Sequence, residues 1–216
     1  TRDLVMIFTG NGAEVPVLRG VSLGIEEGEF VAIRGASGSG KTTLLSLLAG
    51  LDRPTSGEVR FADRRIDTLS EEELSRLRLE EMGFVFQAFH LVPSLTIEEN
   101  VALPSGLAAG RPDRDKARAL LGTMGLAGRT SFLPAKVSGG EKQRAAIARA
   151  LINGPRFVFP DEPTGNLDSH NGAAVLELLE EHTRARGRTL VMVTHDAAIA
   201  ARADRIINLA DGQIVA

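Results

Sequence analysis

Two kinds of hydrophobic pattern alternate along this chain. Short apolar runs, each closed by polar or glycine residues, mark buried strands at Phe30-Val31-Ala32-Ile33, Phe157-Val158-Phe159 and Leu190-Val191-Met192-Val193. The first run leads into a glycine-dense stretch and then Leu44, Leu45, Leu47 and Leu48 at helical spacing, which predicts strand, loop, helix. The other two place Pro160-Asp161-Glu162-Pro163 and Thr194-His195-Asp196 at their carboxyl ends, the edge of a parallel sheet where ligands bind in open α/β folds. Val17 to Ile25 and Glu58 to Phe61 read as antiparallel pieces bounded by the turn residues Glu27-Gly28 and Pro54-Thr55-Ser56-Gly57. From about Ala88 to Asn153 the spacing is mostly helical, broken by Pro93, Pro104, Pro112 and Pro134, which predicts a helical insert in an α/β core. Leu74 to Glu80 and Asp113 to Leu121 read as charged amphipathic helices with solvated polar faces.

Composition narrows the classes. With 216 residues, 43% of them hydrophobic and 25% charged, the chain can bury a sizeable core and is not intrinsically disordered. The 25 basic against 28 acidic side chains give a net charge of −3, no field for holding a nucleic-acid backbone, so no nucleic-acid partner is expected. The absence of cysteine excludes a disulfide framework and a thiol nucleophile and fits a reducing compartment, with the cytosol as the expectation. The longest apolar runs, Leu4 to Phe8 and Ala197 to Ala201, fall far short of the roughly 18 residues of a membrane span.

The chemistry concentrates in Gly35-Ala36-Ser37-Gly38-Ser39-Gly40-Lys41-Thr42, which matches G-x-x-x-x-G-K-[ST] between a predicted strand and a predicted helix. Glycines let successive backbone N–H groups turn inward into an anion-binding nest, and a helix N-terminus adds its positive dipole end. Lys41 is then placed on the β- and γ-phosphates of a nucleoside triphosphate, with the Thr42 hydroxyl on Mg²⁺ and Thr43 continuing the phosphate-facing turn. The loop alone does not distinguish small-molecule kinases, GTPases, recombinases and transport ATPases.

Ser138-Gly139-Gly140-Glu141-Lys142-Gln143-Arg144 resembles the signature of ATP-binding cassette (ABC) ATPases, and the family's other motifs stand in order around it. Val85-Phe86-Gln87 looks like the Q-loop, Phe157 to Glu162 like Walker B, Gly165-Asn166-Leu167-Asp168 like the D-loop, and His195 like the switch histidine. The resemblance spans essentially the whole chain. It implies an α/β P-loop NTPase (RecA-like) core with an antiparallel β subdomain, from 1–87 and 154–216, and a helical subdomain over 88–153, all within one domain of 1–216. It also implies ATP and Mg²⁺ as cofactors. Asp161 is then a metal residue acting through water and Glu162 the carboxylate that orients or deprotonates the attacking water. Gln87 offers a neutral amide to metal and water, and His195 donates to the γ-phosphate. Each has a plainer alternative: a capping Asp, a surface glutamine, a strand-end histidine. His90, His170 and His182 match no motif and read as structural or exposed.

Ser138, Gly139 and Gly140 open a helix continuing through Ala145 to Ala148, so this chain has two phosphate-binding helix N-termini. In the family the second closes over ATP held by a partner protomer, which implies a head-to-tail dimer of two copies with two ATP molecules between them. Phe8 stands where the family stacks an aromatic on adenine; the alternative is a core aromatic in an edge strand. Val137 and Pro160 depart from the family pattern, and Pro160, lacking an N–H, is expected to alter the end of its strand.

The D-loop together with Gly50-Leu51-Asp52-Arg53-Pro54-Thr55-Ser56-Gly57 is similar to bacterial lipoprotein-release, macrolide-export and FtsE-like ATPases. That implies a peripheral place on the cytoplasmic face of the inner membrane, bound to a separate integral membrane permease subunit. Ala88-Phe89-His90-Leu91-Val92-Pro93 is the expected contact with it, against the alternative of a satellite core. The competing readings are a soluble non-transport ABC protein, which carries coiled-coil insertions or tandem cassettes absent here, and a P-loop kinase, which lacks the signature.

Overall fold

The computed structural model describes residues 1–10 and 13–215, and of Ser169 and His170 the backbone alone. The chain forms two compact units, Thr1–Arg78 with Val191–Ala216, and Leu79–Leu190.

The first unit opens with β1 (Arg2–Gly10), β2 (Ala13–Val21), β3 (Phe30–Arg34), α1 (Lys41–Leu48), β4 (Ser56–Glu58), the short pair β5 (Arg60–Phe61) and β6 (Arg64–Arg65), and α2 (Glu71–Glu81), which reaches into the second unit. β1 lies between β2 and β4 in an antiparallel sheet. Leu4 and Met6 on β1 are buried, the alternation of a strand with one face on a core, and their partners Val21 and Leu18 on β2 are buried with them because a register shift between Leu4↔Val21 and Val5↔Arg19 adds one residue to β2. Pro16 is tolerated because β2 is an edge strand, where a missing N–H interrupts no inner ladder.

The second unit holds β7 (Met82–Phe86), α3 (Ile97–Ala109), α4 (Arg114–Thr123), α5 (Gly139–Leu151), β8 (Phe157–Asp161) and α6 (Ser169–Thr183), with 3-10 turns at Ala127–Arg129, Pro134–Lys136 and Arg184–Arg186. β9 (Thr189–Val193) begins in this unit and ends in the first, which closes with α7 (Ala197–Ala200), β10 (Arg205–Ala210) and β11 (Gln213–Val215).

In the first unit the strand order is β11-β10-β3-β9, with β10 parallel to β3 and antiparallel to β11. Phe30 to Ile33 are fully buried, as expected of a parallel strand covered on both faces. The Asp204 carboxylate accepts the Phe30 N–H at 2.8 Å and starts the strand. The hydrophobic pattern did not mark β7, β10 or β11, although Asp211-Gly212, both at positive φ, is the two-residue turn that joins a hairpin. β2 ends at Val21, short of the predicted Ile25.

In the second unit β7 and β8 run parallel with unbroken register from Met82↔Phe157 to Phe86↔Asp161. Pro160 therefore does not disturb the strand end: the φ fixed by its ring lies within extended space, and the strand continues to Asp161. α5 packs against β7, α3, α4 and α6 with Ala145 to Ala148 fully buried. Gly83 makes the approach possible, since a Cβ there would lie 2.6 Å from the Ala150 carbonyl oxygen. Pro104 does not break its helix: α3 runs through it. A capping box of Thr96 and Glu99, a left-handed Gly110 at the far end, and the buried Val101, Ala102 and Ser105 hold the helix despite the lost N–H.

Candidate functional site

The glycine loop lies in the first unit between β3 and α1. Ala36, Ser37 and Gly38 are exposed, whereas Ser39, Gly40 and Lys41 are buried. Gly38 and Gly40 have φ of 79° and 101°, conformations that a side chain would strain. A Cβ at Gly35 would fall 2.1 Å from the Leu209 carbonyl oxygen, so only glycine lets the loop leave β3 beside β10. Lys41 curls back to donate to the Ala36 carbonyl at 2.8 Å, which uses one of the three donors of its ammonium group. The Ser39 hydroxyl oxygen is buried with no hydrogen-bond partner.

No side chain caps α1, whose N-cap residue is Gly40. The other helices are all capped: Ser70, Thr96, Asp113, Ser138, Asp168 and Asp196 accept first-turn N–H groups of α2 to α7. The positive end of α1 is thus directed at the loop without a protein acceptor from a side chain. Thr42 is exposed at its start and Thr43 half-buried one residue on.

Gln87, Asp161, Glu162 and the signature residues all lie in the second unit, where one segment brings them together. Gln87 follows β7, Asp161 ends β8, and Glu162 turns the chain with φ 46°, a left-handed value for a non-glycine residue immediately before a proline. Turns from the Gly165 N–H to the Glu162 carbonyl (3.1 Å) and from the Leu167 N–H to the Thr164 carbonyl (3.0 Å) shape residues 162–167. Asn166 in this segment bonds Gln87 twice. A Cβ at Gly139 would lie 3.5 Å from the Leu167 side chain, and one at Gly140 would meet the Asn171 side chain at 3.0 Å. Gln143, wholly buried on α5, donates to the Pro163 carbonyl.

The start of α5 is a capping box. The Ser138 hydroxyl accepts the Glu141 N–H at 3.3 Å, and the Glu141 carboxylate accepts the Ser138 N–H at 2.7 Å. That N–H, followed by an Arg129 guanidinium at 2.8 Å, holds the Glu141 carboxyl below its ordinary pKa. The Ser138 oxygen is thus already an acceptor, leaving its proton and the first amides of α5 to offer.

Phe8 is 45% exposed on β1, which removes the core-aromatic reading. His195 is exposed just past β9, where the buried Thr194 accepts the Asp196 N–H at 3.1 Å and Asp196 caps α7. In the stretch Ala88 to Pro93, Phe89, Leu91 and Val92 are half-buried and the rest exposed. Phe89 and His90 both have positive φ, and their carbonyls accept the Arg149 guanidinium. Burial holds that guanidinium below its ordinary pKa. Asn100 bonds both the N–H and the carbonyl of Val92. His182 is buried between the Leu178 carbonyl and the Thr123 hydroxyl, His90 is exposed with its ring edge-on to Phe86, and the side chain of His170 lies outside the described residues.

In the sequence Gln143 and Asn166 stand out only as members of the signature and D-loop motifs. Gln143 had a signal of its own, a polar residue on the buried stripe of Gly140 and Ile147, whereas nothing in the spacing pairs Asn166 with Gln87. Among the described residues no group of three or more His, Asp or Glu forms a metal cage, and no helix is long and apolar enough to cross a membrane.

The family model described as ABC transporter matches residues 18–165. The chain is 53% identical over 205 residues to the pyoverdine export ATP-binding/permease protein PvdT of Pseudomonas entomophila, an alignment covering 94% of this chain and 31% of that protein. It is 51% identical over 218 residues to PvdT of Pseudomonas aeruginosa, covering 99% and 33%. The chain therefore spans about a third of the length of the curated relatives it matches. Among solved structures it is similar to the dimeric ATP-binding cassette MJ0796 in a post-hydrolysis state bound to ADP and Pi, with TM-score 0.92 and 38% identity over 100% of this chain and 95% of that one. A second dimeric structure of MJ0796, described as a bacterial ABC transporter cassette, matches at TM-score 0.92 and 39% identity with the same coverage.

Proposed function

This chain belongs to the ABC transporter family as an ATP-binding cassette with the α/β P-loop NTPase fold and ATPase activity, and from that membership we propose how its residues divide the work. The observation that carries the proposal is the uncapped N-terminus of α1 with Lys41 folded onto its own loop. The backbone from Gly35 to Thr43 cradles the triphosphate, and Lys41 exchanges its bond to the Ala36 carbonyl for the β- and γ-phosphates. The buried Ser39 hydroxyl, with no protein partner, fits the same use. Phe8, exposed on β1, stacks on adenine.

In the second unit the amide oxygen of Gln87 and the carboxylate of Asp161 are hard oxygen donors of the kind Mg²⁺ takes, as in the first unit is the hydroxyl of Thr42; the ion typically keeps waters and phosphate oxygens as its remaining ligands. Bound there, the ion would supply charge neutralisation at the β- and γ-phosphates. Glu162 orients the attacking water and accepts its proton, a contribution of about 10² to 10⁴ in rate, and His195 donates to the γ-phosphate.

Two copies close head to tail, with Ser138, Gly139 and Gly140 of each directed at the γ-phosphate held by the other. The dimeric MJ0796 structures support this reading. The cycle serves a membrane permease component that carries out export across the inner membrane, with the cassette on the cytoplasmic face. The PvdT relatives, named as export ATP-binding/permease proteins, support it. The segment 88–93, shaped by Arg149 and Asn100 and presenting Leu91 and Val92, contacts that component. The direct test is ATP binding and turnover by Lys41→Ala, which abolishes both if the loop is the phosphate site; wild-type rates in that variant would overturn it.

A further inference from the structure

We propose that Asn166 is a positioning residue that sets the polarity of the Gln87 amide, spending its NH₂ end and leaving Oε1 as the end able to bind a divalent cation. The inference rests on the reading of Gln87 as a metal residue. It begins at an atom whose chemistry allows one role: the Gln87 backbone carbonyl can only accept, so the group facing it at 2.9 Å must be the Asn166 NH₂. Asn166 Oδ1 is then turned to the Gln87 side chain, and an oxygen there requires the Gln87 NH₂, which donates to it at 3.2 Å. Two reciprocal bonds thus fix both amides, and the free rotation that would present Gln87 nitrogen or oxygen equally is removed.

Gly165 completes the clasp. A Cβ at position 165 would sit 2.8 Å from Gln87 Nε2 and 3.1 Å from its Cδ, so the amide takes up the space that a side chain at 165 would fill. The pairing joins positions 79 residues apart, the end of β7 and the turn after β8. Because Gln87, Gly165 and Asn166 are all exposed, none of this is needed to fill a core. The clasp prepares an oxygen ligand in advance, so that metal binding does not have to select one amide orientation from two.

The test is a titration of Mn²⁺, followed by its electron paramagnetic resonance signal, into the full chain saturated with the non-hydrolysable analogue AMP-PNP. Asn166→Ala and, independently, Gly165→Ala should weaken Mn²⁺ binding about threefold to tenfold, the scale of one lost orienting bond. Affinity for AMP-PNP without metal and the thermal unfolding midpoint should stay at wild-type values. Gln87→Ala should show at least the same loss, and adding Asn166→Ala to it should change nothing further. If Gln87→Ala weakens Mn²⁺ binding while both clasp variants bind as the wild type does, the positioning role is overturned and the reading of Gln87 stands. If Gln87→Ala itself binds Mn²⁺ normally, the reading of Gln87 falls and the inference with it.

Discussion

Gln143, wholly buried on α5, donates its side-chain NH₂ to the carbonyl oxygen of Pro163 at 2.6 Å, tying the signature helix to the residue that follows Glu162. Glu162 is held at φ 46° before that proline, a conformation that costs of order 1–3 kcal/mol and persists only where neighbouring structure enforces it. The oxygen of the same Gln143 amide is buried without a partner.

That pairing predicts an ordering of variants. Gln143→Ala leaves the Pro163 carbonyl unsatisfied and opens a void, and should lower unfolding free energy by about 1–3 kcal/mol for the lost bond plus a cavity contribution. Gln143→Leu fills the volume and removes the unpartnered oxygen, so it should cost less than the alanine variant. Both should slow ATP turnover, because Glu162 loses its tether, while leaving the ATP dissociation constant unchanged. Urea denaturation and single-turnover kinetics check this, and a leucine variant as unstable as alanine with wild-type turnover would contradict it.

Phe8 allows packing and binding to be separated. Its ring is 45% exposed, so Phe8→Ala should change unfolding free energy by no more than about 0.5 kcal/mol, as for a surface substitution. ATP binding should weaken by about 1–3 kcal/mol, the scale of base–aromatic stacking. Calorimetry of both quantities on one variant decides it; unchanged ATP affinity removes the stacking role.

Acid stability should depend on three capping glutamates. Backbone N–H groups of Ser70, Thr96 and Ser138 hold Glu73, Glu99 and Glu141 below the ordinary value of 4.5. Since the folded state favours the ionised form, each contribution is complete above 4.5 and is lost as pH falls through the lower folded-state value. Glutamine at the three positions keeps an acceptor for each cap and removes the titration. The triple variant should therefore show a flatter loss of stability below that pH than the wild type, measured by urea midpoints; an equally steep loss would refute the assignment.

The strand, loop and helix from Phe30 to Leu48 were legible because three local signals agree there: a buried apolar run, glycines, and leucines at helical spacing. The start of α5 was marked by Ser138-Gly139-Gly140 ahead of Ala145 to Ala148, and the charged helices α2 and α4 by their amphipathic spacing. β10 was hidden because only Ile207 and Leu209 of its six residues are buried, and β7 because it is a five-residue strand directly joined to α2. Pro104 misled because tertiary packing outweighed local propensity. The clasp of Asn166 on Gln87 and the bond from Gln143 to Pro163 depend on elements the fold brings together, for which sequence spacing holds no signal.

With ATP as the glue between two copies of this cassette, blocking hydrolysis by Glu162→Gln should hold the pair closed. The amide keeps the side chain's size and removes its basicity, so ATP stays bound and intact between Lys41 of one copy and Ser138 of the other. Light scattering on this variant should give a mass near twice 23.0 kDa with ATP and near 23.0 kDa without nucleotide. Adding Ser138→Arg should return the ATP-bound protein to the lower mass, since the bulk lies only across the interface. A mass near 23.0 kDa under every condition, with ATP demonstrably bound and hydrolysis blocked, would rule out ATP as the link between the copies.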